Sequence, residues 1–448
     1  MQLRRQVILT IIILAGLCIP GMLNGEDCMT TECHTQFKEM KQLHFPADDN
    51  CTRCHDKTGK HKFKLVNQVD VCFDCHDENR KGKYVHSAIT KRDCVGCHDP
   101  HGGPIKYYLK SAGTTALCAS CHEKEATKKK VVHAPLETGD CADCHRPHAA
   151  DHEFLLKSPK DKLCLSCHGE PPAEAPSKTR AKRASKKARA GKAKSFIPLS
   201  KYKHVHSIVE QGCSECHDPH TTDFKYLLPT EPGDICVKCH EDIGGSVPGL
   251  KHAALESYEK CIACHDPHGS QVADNLKKKL PELCLSACHN RTRGKSDGTR
   301  RNVAKDLTLN PFKHAPLEEG ECLDCHAPHN SGFYRLFTSA YPPGTYAEYK
   351  PGAYEFCFNC HDEELVKTKA TTTATNFRDG SQNLHYLHVN RKKGRTCLMC
   401  HEGHSGKLEK MLRQTVPFGT WSLPIGFTRT PTGGTCSPGC HKPFDYKH

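Results

Sequence analysis

Thirty of the 31 cysteines in this 448-residue chain fall into fifteen pairs, and a histidine directly follows every pair. Two thiols on one tight turn can add to the two vinyl groups of a haem, while the next residue sets its imidazole under the iron as proximal ligand. Twelve pairs have the strict C-x-x-C-H spacing. Toward the amino end these are Cys51, Cys54 and His55; Cys72, Cys75 and His76; Cys94, Cys97 and His98; Cys118, Cys121 and His122; Cys141, Cys144 and His145; and Cys164, Cys167 and His168. Toward the carboxyl end they are Cys213, Cys216 and His217; Cys236, Cys239 and His240; Cys261, Cys264 and His265; Cys322, Cys325 and His326; Cys357, Cys360 and His361; and Cys397, Cys400 and His401. One extra residue separates Cys284 from Cys288 with His289, and Cys436 from Cys440 with His441. Two extra separate Cys28 from Cys33 with His34, where an N-terminal disulfide is the competing reading. A zinc ribbon has no need of a histidine after each second cysteine, and a thioredoxin-like dithiol needs one such pair in an α/β setting. The expected cofactor is haem c with its iron, fourteen or fifteen per chain.

A low-spin electron-transfer haem also needs a sixth ligand, usually His or Met. Fifteen of the 33 histidines are proximal, which leaves eighteen. These recur at two places in seven doublets of motifs. Seven to nine residues ahead of each doublet stand His44, His86, His133, His204 or His206, His252, His314 and His388. Just past the first pair of a doublet, mostly as C-H-x-P-H, come His101, His148, His220, His268, His329, His404 and, more loosely, His61. That gives two candidate distal ligands per doublet. The surplus, His152, His385, His448 and one of the 204/206 pair, could serve the haem at His34. Methionine is scarce, with Met40, Met399 and Met411 as minor candidates, and ligation by histidine without methionine implies low reduction potentials.

The elements that hold these groups must repeat with them. The unit is a leading His, seven or eight residues, C-x-x-C-H-x-P-H, an aromatic–Leu patch and a second motif. His133-Ala-Pro-Leu-Glu and His314-Ala-Pro-Leu-Glu show the same opening. The patch recurs as Tyr107-Tyr108-Leu109, Phe154-Leu155-Leu156, Tyr226-Leu227-Leu228 and Phe333-Tyr334-Arg335-Leu336, and is expected to pack on haem faces and edges. The leading cysteines of a doublet lie 21 to 24 residues apart in five doublets, then 35 and 39, where loops over 341–352 and 417–434 are expected. Only 36% of residues are hydrophobic and there is one Trp, too little for the cores a chain this long would normally bury. The expected fold is therefore mostly coil with short α-helices and little β, its core built from the haems, and the apoprotein is expected to be largely unfolded.

With these doubled motifs the chain resembles the paired C-x-x-C-H multihaem c-type cytochromes of anaerobic metal- and sulfate-reducing bacteria. The resemblance implies short helices and loops wrapped on a chain of haems, and a role in respiratory electron transfer. It covers nearly everything outside residues 1–25 and 169–200, and departs from the simplest pattern at Cys28, Cys284 and Cys436.

Residues 1–25 read as a secretory signal, with Arg4 and Arg5 before an apolar run from Val7 to Leu17 that is too short to span a bilayer. Cys18 suits lipidation poorly, because Leu17 stands where a small residue is wanted. Residues 26–168 should form one lobe of about seven haems and 201–448 a second of about eight, joined by a basic disordered linker over 169–200. The linker sets nine Lys or Arg against Glu170 and Glu174, so it holds +7 of the net +13. Propionates would shift a fifteen-haem protein by about −15 when ferric and about −30 when ferrous, so the loaded body is not basic. A basic tether can make peripheral contact with anionic lipid, whereas no motif supports specific nucleic-acid binding.

The expected function is electron transfer in anaerobic respiration, in the periplasm, the outer membrane or at the cell surface. Electrons would come from a quinol-oxidising or periplasmic cytochrome and leave toward an outer-membrane conduit or another redox protein. An enzyme is not expected, since there is no C-x-x-C-K variant and the distal histidines suffice. The alternatives are a reductase of nitrogen or sulfur oxyanions with an open haem, and a cytochrome filament whose subunits share ligands. Intact mass of the exported protein should show fourteen or fifteen haem additions, and only a handful would overturn the attachment reading.

Overall fold

Most of the described attachment motifs form one turn of helix in the computed structural model of the chain, which describes residues 34–49, 51–59, 62–65, 70–111, 114–123, 129–138, 140–169, 197–244, 248–292 and 301–448. The signal, Cys18, Cys28, Cys33, His61 and nearly all of the linker lie outside the described residues. The proximal histidine closes the turn with its N–H on the first cysteine's carbonyl: His98 on Cys94 at 3.0 Å, His122 on Cys118 at 2.8 Å, His240 on Cys236 at 2.9 Å. The extra residue of the longer motif is absorbed by a wider turn, in which His289 reaches the Cys284 carbonyl, five residues back, at 3.0 Å. Second motifs extend this turn backward into helices such as Asp70–His76, Lys160–His168 and Glu282–Ala287. Asp70, Asp161 and Glu282 stand in their first turns, where the helix dipole favours negative charge.

Six antiparallel ladders of two residues each join consecutive doublets. They pair Gln42–Leu43 with Gly102–Gly103, Tyr84–Val85 with Ala149–Ala150, and Val131–Val132 with Thr221–Thr222. They also pair His204–Val205 with Gly269–Ser270, Leu250–Lys251 with Asn330–Ser331, and Phe312–Lys313 with Ser405–Gly406. Gly102 must be glycine here: its φ is +146° and a Cβ would lie 2.4 Å from the Gln42 carbonyl.

The chain divides into two units. The first runs to His168 and takes in Asp218–Thr222; the second holds Ser195–His217 and Asp223–His448. Five residues numbered with the expected second lobe thus pack with the first unit. Among the described residues no helix is long and apolar enough to cross a membrane.

The apolar packing is unequal. The first unit contributes only Ala150 to the buried hydrophobic side chains described, while nine lie between Phe337 and Tyr446. Phe337, Tyr341, Tyr354, Val366 and Val389 form a cluster, with Phe337 stacked on Phe356 at 3.8 Å and the edge of Tyr341 on Tyr354 at 5.6 Å. The attachment cysteines Cys357 and Cys397 pack against it. The long gap of the sixth doublet is therefore more than a loop, because Tyr341 and Tyr354 at its ends supply a protein-built core. The loop expected over 417–434 is corrected too. Thr415–Phe418 and Trp421–Pro424 form a hairpin turning at Gly419, whose φ is +58°. Phe427–Thr430, Gly433–Cys436 and Phe444–Lys447 form a three-stranded sheet, so Cys436 sits on a strand. The β-branched and aromatic residues of this stretch suit pleated backbone, a signal hidden by its Pro and Gly content.

Tyr354 is 1% exposed. Tyr354→Ala in the haem-loaded protein should cost about 3–5 kcal/mol of local stability. Hydrogen exchange should then rise over 337–398 and stay unchanged in the first unit; an equal rise in both would contradict a local core.

Candidate haem sites

Thirteen proximal histidines each face a second imidazole across a nearly constant gap. In the first unit His55 faces His101 and His76 faces His44, both with ring centroids 6.1 Å apart. His98 faces His148 at 5.9 Å and His122 faces His86 at 6.0 Å. His145 faces His220 at 6.2 Å and His168 faces His133 at 6.0 Å. In the second unit His217 faces His268 at 6.0 Å, His240 faces His206 at 6.1 Å, and His265 faces His329 at 6.1 Å. His289 faces His252 at 6.3 Å, His326 faces His404 at 6.1 Å, His361 faces His314 at 6.1 Å and His441 faces His388 at 6.4 Å.

That gap fits an iron. With metal–nitrogen bonds of about 2.0 Å on both sides, and each nitrogen roughly 1 Å from its ring centre, the centroids would lie about 6 Å apart. The thiols beside each proximal His hold no disulfide among the described residues. Burial lowers the pKa of His55, His86, His133, His148, His268, His314 and His329, favouring the neutral form that can ligate. His404 falls to about 4, through burial and then the facing His326. The fourteenth proximal ligand, His401, has His385 for a neighbour: burial, and next the charge of His401, lower His385 to about 4.

The pairing follows one rule. A leading His faces the second proximal His of its own doublet, whereas a C-H-x-P-H histidine faces the first proximal His of the doublet before it. The short ladders enforce this. His44 donates its N–H to the His101 carbonyl at 2.9 Å, His86 to His148 at 2.8 Å, His133 to His220 at 2.9 Å, and His252 to His329 at 3.0 Å. Each ladder thereby sets both distal ligands of one doublet side by side. At three ladders the proline of the motif adds a second hold, since its carbonyl accepts the leading histidine's Nδ1–H: His44 on Pro100 at 2.7 Å, His133 on Pro219 at 2.8 Å, His206 on Pro267 at 3.0 Å. There Nε2 is left to face the iron. The Nδ1 of His86 and of His252 instead accepts the N–H of Ala88 and of Ala254, both at 3.2 Å.

Proximal rings are oriented by the segment called the aromatic–Leu patch, but through its backbone. The Nδ1–H of His98 donates to the Tyr107 carbonyl at 2.7 Å, and that of His145 to Phe154 at 2.8 Å. His217 reaches Tyr226 and His265 reaches Asp274, both at 2.7 Å, and His401 reaches Lys410 at 2.9 Å. Every accepting residue and its successor has positive φ, from Tyr107 and Tyr108 at +64° and +55° to Lys410 and Met411 at +55° and +54°. Asp274 and Asn275 adopt the same turn without an aromatic ring, so the orienting carbonyl depends on backbone conformation rather than on an aromatic side chain.

The attachment thiols meet in chain order. Side-chain hydrogen bonds join Cys72 with Cys94, Cys118 with Cys141, Cys236 with Cys261, Cys284 with Cys322, and Cys357 with Cys397, each across a doublet boundary. Within doublets the second cysteines feel one another's charge, as Cys97 does Cys121 and Cys264 does Cys288. Consecutive attachment sites are therefore neighbours at alternating thioether positions within each unit.

Of the distal candidates chosen from sequence that lie among the described residues, all but His204 take such a facing place. His206, rather than His204, faces His240, while His204 pairs through its backbone with Ser270. His34 stacks on Phe37 at 6.0 Å. His385, left among the surplus, is the residue that sequence reasoning missed. It shares the helix Leu384–Val389 with His388, three residues on, so one helix carries the ring facing His441 and a second histidine near His401. The available signal was its position three residues before His388, about one helical turn away.

A family model described as the doubled CXXCH motif matches residues 44–81, 86–127, 133–173, 206–245, 252–294 and 314–365, together more than half of the chain. No curated protein matches it.

His206→Ala and His385→Ala should each convert one haem to a high-spin, carbon-monoxide-binding form in reduced spectra, and His204→Ala should convert none. An open haem in the His204 variant would contradict the pairing.

Proposed function

The chain belongs to the doubled-CXXCH family of multihaem c-type cytochromes, and from that membership we propose that it conducts electrons in anaerobic respiration and is not itself an enzyme. The carrying observation is the imidazole opposite nearly every described proximal histidine, which closes the position a substrate would need. Haem c supplies one-electron chemistry when bound. The chain's own residues fix its ligands, keep the potentials low by presenting two imidazoles per iron, and order the attachment sites so that neighbours in sequence are neighbours in space. Exported by its leader, the protein would work in the periplasm or at the outer membrane. Its donors would be quinol-oxidising or periplasmic cytochromes, its acceptor an outer-membrane conduit, and the basic stretch over 169–200 would rest on anionic lipid.

A redox titration of the loaded protein, with and without carbon monoxide, tests this. A broad low-potential envelope that the gas does not alter is expected. A carbon monoxide adduct at an iron site flanked by two imidazoles, or turnover of nitrite, hydroxylamine or a sulfur oxyanion, would replace the conductor with a reductase.

A further inference from the structure

Oxidising an iron between two neutral imidazoles adds one positive charge to the site. Nearby cations and dry surroundings therefore favour the reduced form and raise the potential, and a nearby carboxylate lowers it. The second unit is uneven in both respects. At its near end, His268, which faces His217, has the Asp266 carboxylate 3.8 Å from its Nδ1 and bonded to its N–H at 3.0 Å.

The sixth and seventh doublets have guanidinium groups instead. Arg413 donates from Nε to the carbonyls of Leu398 at 2.9 Å and His401 at 3.3 Å, inside the attachment turn of Cys397 and Cys400. Its Nη1 lies 3.2 Å from Glu402, which also receives Arg301 at 2.5 Å. Arg301 pairs in addition with Asp306. Arg335 supplies the carbonyl that orients His326, at 3.2 Å, and Arg395 donates its N–H to the His388 carbonyl at 3.0 Å. The guanidinium groups of Arg301 and Arg413 thus stand against the two carboxylates of Glu402 and Asp306, while those of Arg335 and Arg395 lie over the rings of Tyr334 at 5.0 Å and Tyr346 at 5.9 Å. The same end holds the aromatic core against which Cys357 and Cys397 pack. The arginine on the attachment turn and the dry aromatic core act with one sign on these sites.

We propose that the haem sites of the sixth and seventh doublets have the highest potentials in the second unit, so that electrons entering it collect at the carboxy-terminal end. Arg335 and Arg413 act as tuning residues for those sites. The inference rests on the electron-transfer reading, yet the two fail separately, because carbon monoxide binding tests that reading and the order of reduction tests this one.

The experiment is a redox titration of full-length, haem-loaded protein, followed optically and by the loss of individual low-spin EPR signals. Arg335→Gln, which keeps the orienting carbonyl, and Arg413→Gln should each move the first-reduced component to lower potential. Lys225→Gln, which neutralises a cation on the matching turn of the fourth doublet, should leave that component in place. A first-reduced component unmoved by Arg335→Gln, or moved by Lys225→Gln, would overturn the proposal. Arg335 is exposed, so its variant decides the matter even if loss of the buried Arg413 pair prevents folding.

Discussion

Placing an imidazole on each side of an iron requires two segments of chain, one carrying the proximal histidine and one the distal, to hold their ring centres about 6 Å apart. In this protein the distal segment often comes from the neighbouring doublet. His101 completes the site of His55, His148 that of His98, and so on to His404 and His326. Each ligand donated backward ties a doublet to the one before it. The two-residue ladders that carry these ligands would be marginal alone, so metal coordination and backbone pairing support each other. Because coordination free energy is folding free energy in such a system, cofactor loading and the ordering of the fold are one process.

The seventh doublet is arranged differently. The helix Leu384–Val389 presents His385 and His388 from a single element, and beside it stand the aromatic cluster and the three-stranded sheet. Here the protein builds its own interior, with Tyr354 and Leu384 almost fully buried. Elsewhere among the described residues only Ala150, Leu228 and Leu283 are buried hydrophobic side chains, which accords with a composition too poor in apolar residues for a conventional core. The core is local to one end, and that same end concentrates the arginines.

Much of the chemistry was legible in the sequence because covalent attachment demands fixed spacing: the cysteines, proximal histidines and both families of distal histidine follow from it. The partner of each distal histidine was not legible. Sequence proximity suggests that His101 serves its own doublet, whereas the ladder between Gln42–Leu43 and Gly102–Gly103 turns it toward the previous one. The patch after each first motif was read through its side chains; that its backbone also orients the proximal ring was not legible, because this depends on two successive left-handed residues, a conformation that no single residue type announces outside glycine. His385 was obscured by its neighbour His388, and the strands after Thr415 by their prolines and glycines.

The most direct measurement is an atomic-resolution structure of the haem-loaded protein, read at the iron attached through Cys94 and Cys97. Coordination by His98 and His148 is expected there, with His86 on the iron of the neighbouring second motif. A sixth ligand on that iron drawn from within its own doublet would contradict backward donation, and with it the explanation of why the ladders sit where they do.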